Sequence, residues 1–144
     1  MSTRTIFVVD TNVVVAGLLA ADPVSPVARV LDGMLEAAFP YALSEALLGE
    51  YRTVLLRPAL RKLHALSVDD IERLLTDLVQ PAVVLQPAGT AHGHPHAPDA
   101  GDQFLWDLLA SRPELVLITG DKPLLADKGM QGRVVSPRDF VDRR

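Results

Sequence analysis

Two carboxylates follow directly on hydrophobic, strand-like segments of this chain. Asp10 comes after residues 5–9, and Asp121 comes after residues 115–119 and one glycine. A buried strand that ends on a carboxylate carries it to the C-terminal edge of the sheet, where open parallel sheets bind their ligands. Two such acids suggest a cluster around a hard cation, because oxygen ligands favour Mg²⁺ or Mn²⁺ over zinc. The pattern therefore predicts a metal-centred site as well as a fold.

Three further acids are candidates for the same site. Asp99 and Asp102 are close enough in sequence to share the first turn of a predicted helix, where negative charge is favoured. Glu50 lies in the middle of another predicted helix, and amphipathic geometry does not favour it over Glu45. Crowded carboxylates take up protons unless a cation is present. Such a cation lowers the pKa of coordinated water and holds a phosphate oxygen, so phosphodiester hydrolysis is a natural use.

Each of these acids also has an ordinary structural explanation. Acids at helix starts are usually caps, and a glutamate in the middle of a helix is usually a solvated side chain. Taken singly, every acid except Asp10 is better explained in this way. Asp10 differs because it follows five strand-like residues and precedes Thr11 and Asn12.

The composition is that of a soluble globular protein. The chain has 144 residues, of which 49% are hydrophobic and 22% charged, enough for one domain over residues 1–144. It has no cysteine, which excludes disulfides and thiolate chemistry and fits a reducing cytoplasm. We expect no membrane segment and no signal peptide. The net charge of -4 does not suit a nucleic-acid binder that relies on global positive potential, although bound metal would offset it locally.

Strand-like and helix-like segments alternate along the chain. The segments typical of strands are residues 5–9, 41–43, 82–85, 115–119 and 134–135. The segments typical of helices are 24–38, 44–56, 67–80, 99 or 102 to 112, a short stretch after 123, and 137–141. Residues 86–98, rich in Pro, Gly and His, are typical of a loop. This alternation predicts a single-domain α/β/α sandwich with a central, mostly parallel sheet.

Five segments of the chain together resemble the PIN domain, the PilT N-terminal-type nuclease fold. They are residues 8–13, 43–51, 99–105, 117–125 and 135–140, in the family's order and over nearly the whole chain. The resemblance implies a metal-dependent endoribonuclease, often the VapC-like toxin of a type II toxin–antitoxin pair. It also implies a homodimer and a small antitoxin that inserts a segment across the acidic groove.

The resemblance assigns roles to individual residues. The family's four metal-binding and catalytic acids match Asp10, Glu50, Asp102 and Asp121. They would bind one or two Mg²⁺ or Mn²⁺ ions, and Glu50 is thereby preferred to Glu45. Asp99 matches a commonly acidic neighbour, while Asn12 and Thr119 match polar positions that would orient the carboxylates. Lys122, beside Asp121, is the best candidate for a contact with substrate phosphate.

Two positions depart from the family pattern. Residues 96–98 lack the basic residue that relatives often carry before Asp99, and Asp107 is charged where a small apolar residue is expected. Both departures bear on substrate contacts and on oligomer packing. Trp106, inside an apolar helix, is expected in the core or an interface.

Other polar clusters allow more than one interpretation. His92, His94 and His96 alternate along the predicted loop and could bind zinc or nickel or contact RNA, but polar loop residues are the commoner explanation. The basic residues Arg52, Arg57, Arg61 and Lys62 are explained slightly better as a solvated face than as a phosphate-binding surface. The competing functions are a housekeeping or DNA-directed nuclease and a non-catalytic PIN-like RNA-binding or scaffold module. A phosphotransfer receiver or phosphatase domain lacks its expected acidic pair.

Overall fold

A computed structural model describes residues 4–87, 96–130 and 132–143 of the chain. The strands in this part are β1 Ile6–Val9, β2 Ala42–Ser44, β3 Val83–Leu85, β4 Leu115–Ile118 and β5 Val134–Val135. They pair in parallel as β1-β4-β5 and as β2-β3, and a parallel bridge between Phe7 and Tyr41 joins the two groups. The strand order is therefore β3-β2-β1-β4-β5.

Helices connect and flank these strands. They are α1 Thr11–Leu19, α2 Pro26–Leu35, α3 Glu45–Leu55, α4 Pro58–His64, α5 Val68–Val79, α6 Gln103–Ser111, α7 Lys122–Leu125 and α8 Pro137–Asp142. Short 3-10 turns cover Ala100–Asp102 and Lys128–Met130. Within the ranges described, no helix combines the length and the apolar character needed to cross a membrane.

The strand order reverses at β1, and this reversal determines both the layers and the position of the site. The chain passes from β1 to β2 and β3 on one side, then returns to β4 and β5 on the other. Because crossovers between parallel strands are right-handed, the two directions place their helices on opposite faces of the sheet. The predicted α/β/α sandwich is thereby confirmed. Ligands of such sheets bind where the order reverses, here between the C-terminal ends of β1 and β4.

The two central strands are anchored by a buried core. Val9 lies opposite Ile118 in the register of β1 and β4, and both side chains are fully buried. Trp106 on α6, predicted to lie in the core or an interface, is fully buried in the core. Phe7 and Phe39 each contact Phe140 of α8 at a ring-centroid distance of 4.8 Å. A fixed core of this kind holds the ends of β1 and β4 in register.

Helix α1 lies in a segment for which the sequence predicts no helix. Its valines at 13–15 are β-branched and disfavour a helix, but tertiary packing overrides that preference. Asp10 caps the helix, and α1 packs closely on α2. At Gly17 a Cβ atom would lie 2.6 Å from the Val27 carbonyl oxygen and 2.9 Å from the Leu31 Cβ. Only glycine therefore permits this approach of the two helices.

Other boundaries differ from their predictions for local reasons. Helix α2 begins after the Ser25 cap and ends at Leu35, so it is shorter than the predicted 24–38. Pro58 follows the end of α3 as predicted, but it also opens α4, because proline is tolerated in a first helical turn. Part of the predicted loop 86–98, including His92 and His94, lies outside the described residues; His96 is exposed.

Candidate functional site

Asp10 stands at the point where β1 becomes α1. Its backbone N–H donates to the Ile118 carbonyl oxygen at 2.9 Å, which continues the pairing with β4. Its carboxylate Oδ1 accepts a hydrogen bond from the Thr11 backbone N–H at 2.8 Å and caps α1. The side chain is only 7% exposed. The structure thus holds a buried carboxylate at the edge where the sheet reverses.

A hydrogen-bond network fixes the orientation of Asp10. The Thr119 hydroxyl donates to Asp10 Oδ2 at 2.7 Å, and the Asn12 side-chain amide donates to the same oxygen at 3.2 Å. The Thr119 hydroxyl also accepts from the Asp121 backbone N–H at 3.0 Å, and the Gly120 N–H donates to Asn12 Oδ1 at 3.1 Å. These bonds tie the segment after β4 to the first turn of α1.

Asp121 and Lys122 begin the short helix α7. The Asp121 carboxylate accepts a 3.4 Å hydrogen bond from the Leu124 N–H and caps this helix. Its side chain is partly buried, whereas Lys122, the first residue of α7, is exposed. The ammonium group of Lys122 is therefore accessible from solvent beside the acidic edge.

Asp99 and Asp102 bracket the turn that leads into α6. The exposed Asp99 carboxylate accepts from the Gly101 N–H at 2.9 Å and caps the turn, and Asp102 is the last residue before the helix. The Gln103 side-chain oxygen accepts from the Ala97 N–H at 2.9 Å, which holds the entering chain against α6. The capping role expected of such acids is therefore present at Asp99, while Asp102 makes no capping hydrogen bond with its side chain.

Glu50 lies on α3, which begins directly after β2 ends. The Ser44 hydroxyl accepts from the Leu47 N–H at 3.1 Å and caps this helix. The next residue along from Glu50, Tyr51, is fully buried, and its hydroxyl donates to the Val9 carbonyl oxygen at 2.5 Å. Burial, with a smaller contribution from the charge of Asp10, raises the pKa of Tyr51 well above its usual range, so it remains a donor.

This contact of Tyr51 is a feature that the sequence pattern does not reveal. The helical period places Tyr51 in the apolar stripe of α3, and nothing in that period indicates a bond to β1. The one available signal is its position directly after Glu50. The bond ties the helix that carries Glu50 to the strand that ends on Asp10.

The carboxylates lie within range of one another's charge. The pKa of Asp102 is raised to about 6, first by burial and then by the negative charges of Asp10, Asp121, Asp99 and Glu50. The pKa of Asp10 is also raised, mainly by burial, with smaller contributions from Asp121 and Glu50. The hydrogen bonds from Thr119 and Thr11 oppose that rise. The charges of all four acids selected from the sequence therefore act at the same edge of the sheet.

The donor set suits a hard divalent cation. All four side chains offer oxygen atoms, and none of them forms an ion pair with a Lys or Arg among residues 4–87, 96–130 and 132–143. Burial is the first cause of the raised pKa values of Asp10 and Asp102, and the charges of the neighbouring acids add to it. In the same ranges, no three Asp, Glu or His side chains are already close enough to hold one metal ion together.

Comparison with known proteins gives a match to a protein family. Residues 7–123, most of the chain, match the sequence model of the PIN domain. The matched range contains the ends of β1 and β4 and the four acids. PIN domains are generally nucleases, so the match supports a nuclease-type function. No curated protein matches the chain at a significant level.

Proposed function

The chain belongs to the PIN domain family, and on that premise we propose that it is a metal-dependent endoribonuclease that hydrolyses RNA phosphodiester bonds. The observation that carries this proposal is that four carboxylates, without a basic partner in the described residues, lie within range of one another's charge where the parallel sheet reverses. Burying like charges together is costly unless a cation joins them. Helix capping accounts for Asp10 and Asp121 taken singly, but it does not explain why four acids interact at one edge of the sheet.

The four acids would hold one or two Mg²⁺ or Mn²⁺ ions; they are Asp10, Glu50, Asp102 and Asp121. When bound, such an ion lowers the pKa of coordinated water and withdraws charge from a phosphate oxygen. The protein itself contributes by holding the carboxylate oxygens in place. Because Thr119, Asn12 and Thr11 all donate to the Asp10 carboxylate, its two oxygens have fixed directions before any ligand arrives.

The remaining site residues would position a metal-binding acid or contact the substrate. Asp99 caps the turn that ends on Asp102 and so supports the third acid. Lys122 would contact the phosphate group, because its exposed ammonium adjoins an otherwise anionic edge. No side-chain nucleophile is required, in keeping with a chain that has no cysteine.

A toxin role in a type II toxin–antitoxin pair is the more specific form of the proposal. Its partners would be the RNA substrate, an antitoxin protein and a second copy of the chain in a homodimer. A sheet edge rich in carboxylates complements a cationic side chain, so an antitoxin segment carrying Arg or Lys would fit across it. This part rests on family resemblance and on the negative charge of that edge.

The test is cleavage of a panel of single-stranded RNAs and DNAs with Mg²⁺ or Mn²⁺, repeated with EDTA. Asp10→Asn should abolish cleavage, while Asp77→Asn, an exposed acid on α5, should leave it unchanged. Binding of Mn²⁺, followed by calorimetry, reports on the metal site without reference to activity. RNA cleavage at the normal rate by Asp10→Asn would refute the mechanism.

Two other outcomes would favour the competing functions. Equal cleavage of DNA would indicate a DNA-directed or general nuclease. Binding of Mn²⁺ and RNA without cleavage of any substrate would indicate a non-catalytic RNA-binding module.

A further inference from the structure

Positive charge is concentrated in one stretch of this acidic chain. Residues 51–68, from the second half of α3 to the first residue of α5, hold four of the 14 Lys and Arg residues and none of the 18 Asp and Glu residues. The remainder of the chain carries the other 10 basic side chains and all 18 acidic ones, a net charge of -8. Such a separation creates a local field opposite in sign to that of the whole protein, and this field attracts an anionic partner.

Three of these four basic side chains are left without a partner. Arg52 is paired, because its guanidinium donates two hydrogen bonds to the Glu72 carboxylate of α5, both at 3.0 Å. Arg57, Arg61 and Lys62 are exposed, and their charged groups form no ion pair or hydrogen bond within the described part of the chain. The structure thus separates one arginine with a structural role from three cations that are available to a ligand.

Helix α4, which carries two of these cations, is held in place although it has no buried side chain. The Leu66 backbone N–H donates to His64 Nδ1 at 3.0 Å, so the ring proton lies on Nε2, which donates to the Leu55 carbonyl oxygen at 3.0 Å. The imidazole therefore ties the end of α4 to the last residue of α3, and α4 also packs on α1. A fixed helix with an uncovered outer face presents its charges in a defined arrangement, which lowers the entropic cost of binding.

The cations begin a short distance from the acidic site along α3. The backbone is helical from Glu50 to Leu56, and Arg57 follows directly. Seven residues make almost two full turns, so the backbone of Arg57 lies about 10 Å along the helix axis from Glu50 and on the same face. The Arg61 N–H donates to the Arg57 carbonyl oxygen at 2.9 Å, which places Arg61 one turn further along the chain. Because Glu50 is close enough for its charge to act on Asp10, this helix face leads from the acidic edge to the first of the cations.

The side chains of this surface suit the phosphate backbone of a nucleic acid better than its bases. Residues 52–68 contain no Phe, Tyr or Trp on which a base could stack. Guanidinium and ammonium groups bind phosphate oxygens without regard to base sequence. Arg61 and Lys62 also border an open depression of about 440 Å³, which Pro58 and Leu66 line as well. The surface can therefore hold a strand by its phosphates.

The position of the cations favours the substrate strand over an acidic protein segment as the occupant. A strand whose scissile phosphate lies at the acids must pass its neighbouring phosphates over the surface next to them. The acidic edge repels those phosphates, whereas cations that begin about 10 Å away attract them. An acidic peptide would match the charge of the cations, but it has no group for the proposed metal site to hold nearby.

We propose that Arg57, Arg61 and Lys62 bind the phosphate backbone of the RNA on one side of the scissile bond. The inference rests on the proposed ribonuclease function, to which it adds a substrate-binding surface outside the metal site. The three residues do not touch the reacting atoms, so their loss should weaken RNA binding and leave the chemical step unchanged. The contact should also be independent of base sequence.

The first test measures binding of a fluorescein-labelled single-stranded RNA by anisotropy in EDTA, where no metal-dependent cleavage occurs. The variant Arg57→Gln/Arg61→Gln/Lys62→Gln removes three positive charges. Each phosphate contact with a single strand contributes about -0.7 to the slope of log affinity against log salt, so the slope should become shallower by about 2. Between roughly 50 and 200 mM salt, the unmodified protein should therefore lose about 20-fold more affinity than the variant. Oligo(U) and oligo(A) should give the same difference.

A matched control removes two arginines and one lysine from other exposed surfaces. It is Arg29→Gln/Lys128→Gln/Arg138→Gln, with changes on α2, on the 3-10 turn after α7 and on α8, and it should keep the slope of the unmodified protein. Arg57→Lys/Arg61→Lys preserves the charge and should keep that slope too. An unchanged slope in the first triple variant, or an equal change in the control, would overturn the inference.

Two further measurements keep the binding test decisive. Circular dichroism shows whether the triple variant folds, and if it does not, Lys62→Gln alone replaces it with an expected change in slope of about 0.7. Binding to the unmodified protein at low salt must not depend on metal, because the surface consists of side-chain cations. RNA that fails to bind the unmodified protein in EDTA would therefore also overturn the inference.

Cleavage separates this inference from the proposed function. With Mg²⁺ or Mn²⁺ present, the triple variant should show a raised KM for RNA and an unchanged kcat. Cleavage with a normal KM would overturn the surface and leave the ribonuclease intact. Loss of RNA affinity in the variant of a protein that cuts no RNA would support the surface and overturn the ribonuclease. A variant that keeps its RNA affinity but no longer binds a hexaglutamate peptide would overturn the inference in favour of an acidic protein partner.

Discussion

Thr119→Val tests whether the hydrogen-bond network at the end of β4 organises the acidic site. The two side chains have nearly the same shape, so the change removes the hydroxyl while leaving the volume of this fully buried position filled. The hydroxyl donates to Asp10 Oδ2 at 2.7 Å and accepts from the Asp121 N–H at 3.0 Å. It also accepts a longer bond of 3.4 Å from the Asn12 side-chain amide, and one substitution therefore removes the hydroxyl that links the first and fourth acids.

The size of the effect follows from those two bonds. A hydrogen bond to a charged group contributes about 1.5–3 kcal/mol, and the lost acceptor for the Asp121 N–H adds to that cost. Loss of the donor also favours protonation of Asp10, which limits the destabilisation, so we expect about 2 kcal/mol. For a chain of this length this corresponds to a melting temperature lower by roughly 6–8 °C. Loss of an orienting partner typically weakens metal binding by about 10–100-fold.

The assays are chemical denaturation of the metal-free protein and calorimetric titration with Mn²⁺. Thr76→Val is the matched control, because within the described part of the chain its exposed hydroxyl bonds only to the Glu72 carbonyl one turn earlier, and the change should cost less than about 0.5 kcal/mol. Two results would refute the reasoning: Mn²⁺ affinity equal to that of the unmodified protein, or a stability loss no larger than that of Thr76→Val.

Three further predictions concern the elements around the site. Tyr51→Phe should lower the free energy of unfolding in urea by about 1 kcal/mol and weaken Mn²⁺ binding, because it removes the hydrogen bond between α3 and β1. Unchanged Mn²⁺ affinity would count against a role of Tyr51 in positioning Glu50. The Arg133 guanidinium donates to the carbonyls of Leu109 at 2.6 Å and Leu115 at 3.2 Å. Arg133→Met should therefore lower the free energy of unfolding by about 2–3 kcal/mol, and Arg133→Lys should lower it less, as measured by thermal unfolding. The pKa of Asp102 is about 6 in the folded protein and near 3.8 when unperturbed. Between pH 7 and 5 the folded protein therefore takes up a proton at Asp102 that the unfolded chain does not. The metal-free protein should accordingly become more stable as the pH falls over this range. Asp102→Asn should remove much of that gain in stability. A melting temperature that falls from pH 7 to 5 in the unmodified protein, but not in Asp102→Asn, would contradict the raised pKa of Asp102.

The parts of the fold that can be predicted from the sequence are those that depend on residues close together in the chain. The strand-like runs before Asp10 and Asp121 become β1 and β4, because continuous apolar stretches of that length must be covered on both faces. Ser67 begins α5 with a full capping box shared with Asp70, and the predicted helix start is therefore correct. Caps and buried strands depend on near neighbours in the chain, which is why they can be predicted from it.

The features that escape prediction depend on contacts across the fold. Helix α1 forms despite its valines because Gly17 lets α2 approach it. Helical period does not separate Glu45 from Glu50, yet the charge of Glu50 raises the pKa of Asp10, while Glu45 lies exposed at the first position of α3. The burial of Asp107 is likewise a matter of tertiary packing. Such contacts are set by the crossovers of the sheet and have no signature at short range.

The two acids with raised pKa values contribute to the site in different ways. Asp10 is buried, but three donors hold its oxygens, so its position is set by the fold itself. Asp102 ends a single turn and makes no capping bond, so its charge is governed chiefly by burial and by the neighbouring acids. In the proposed metal site this pair would gain most from a cation, because the cation would stabilise the ionised form of Asp102, which burial and the neighbouring acids disfavour.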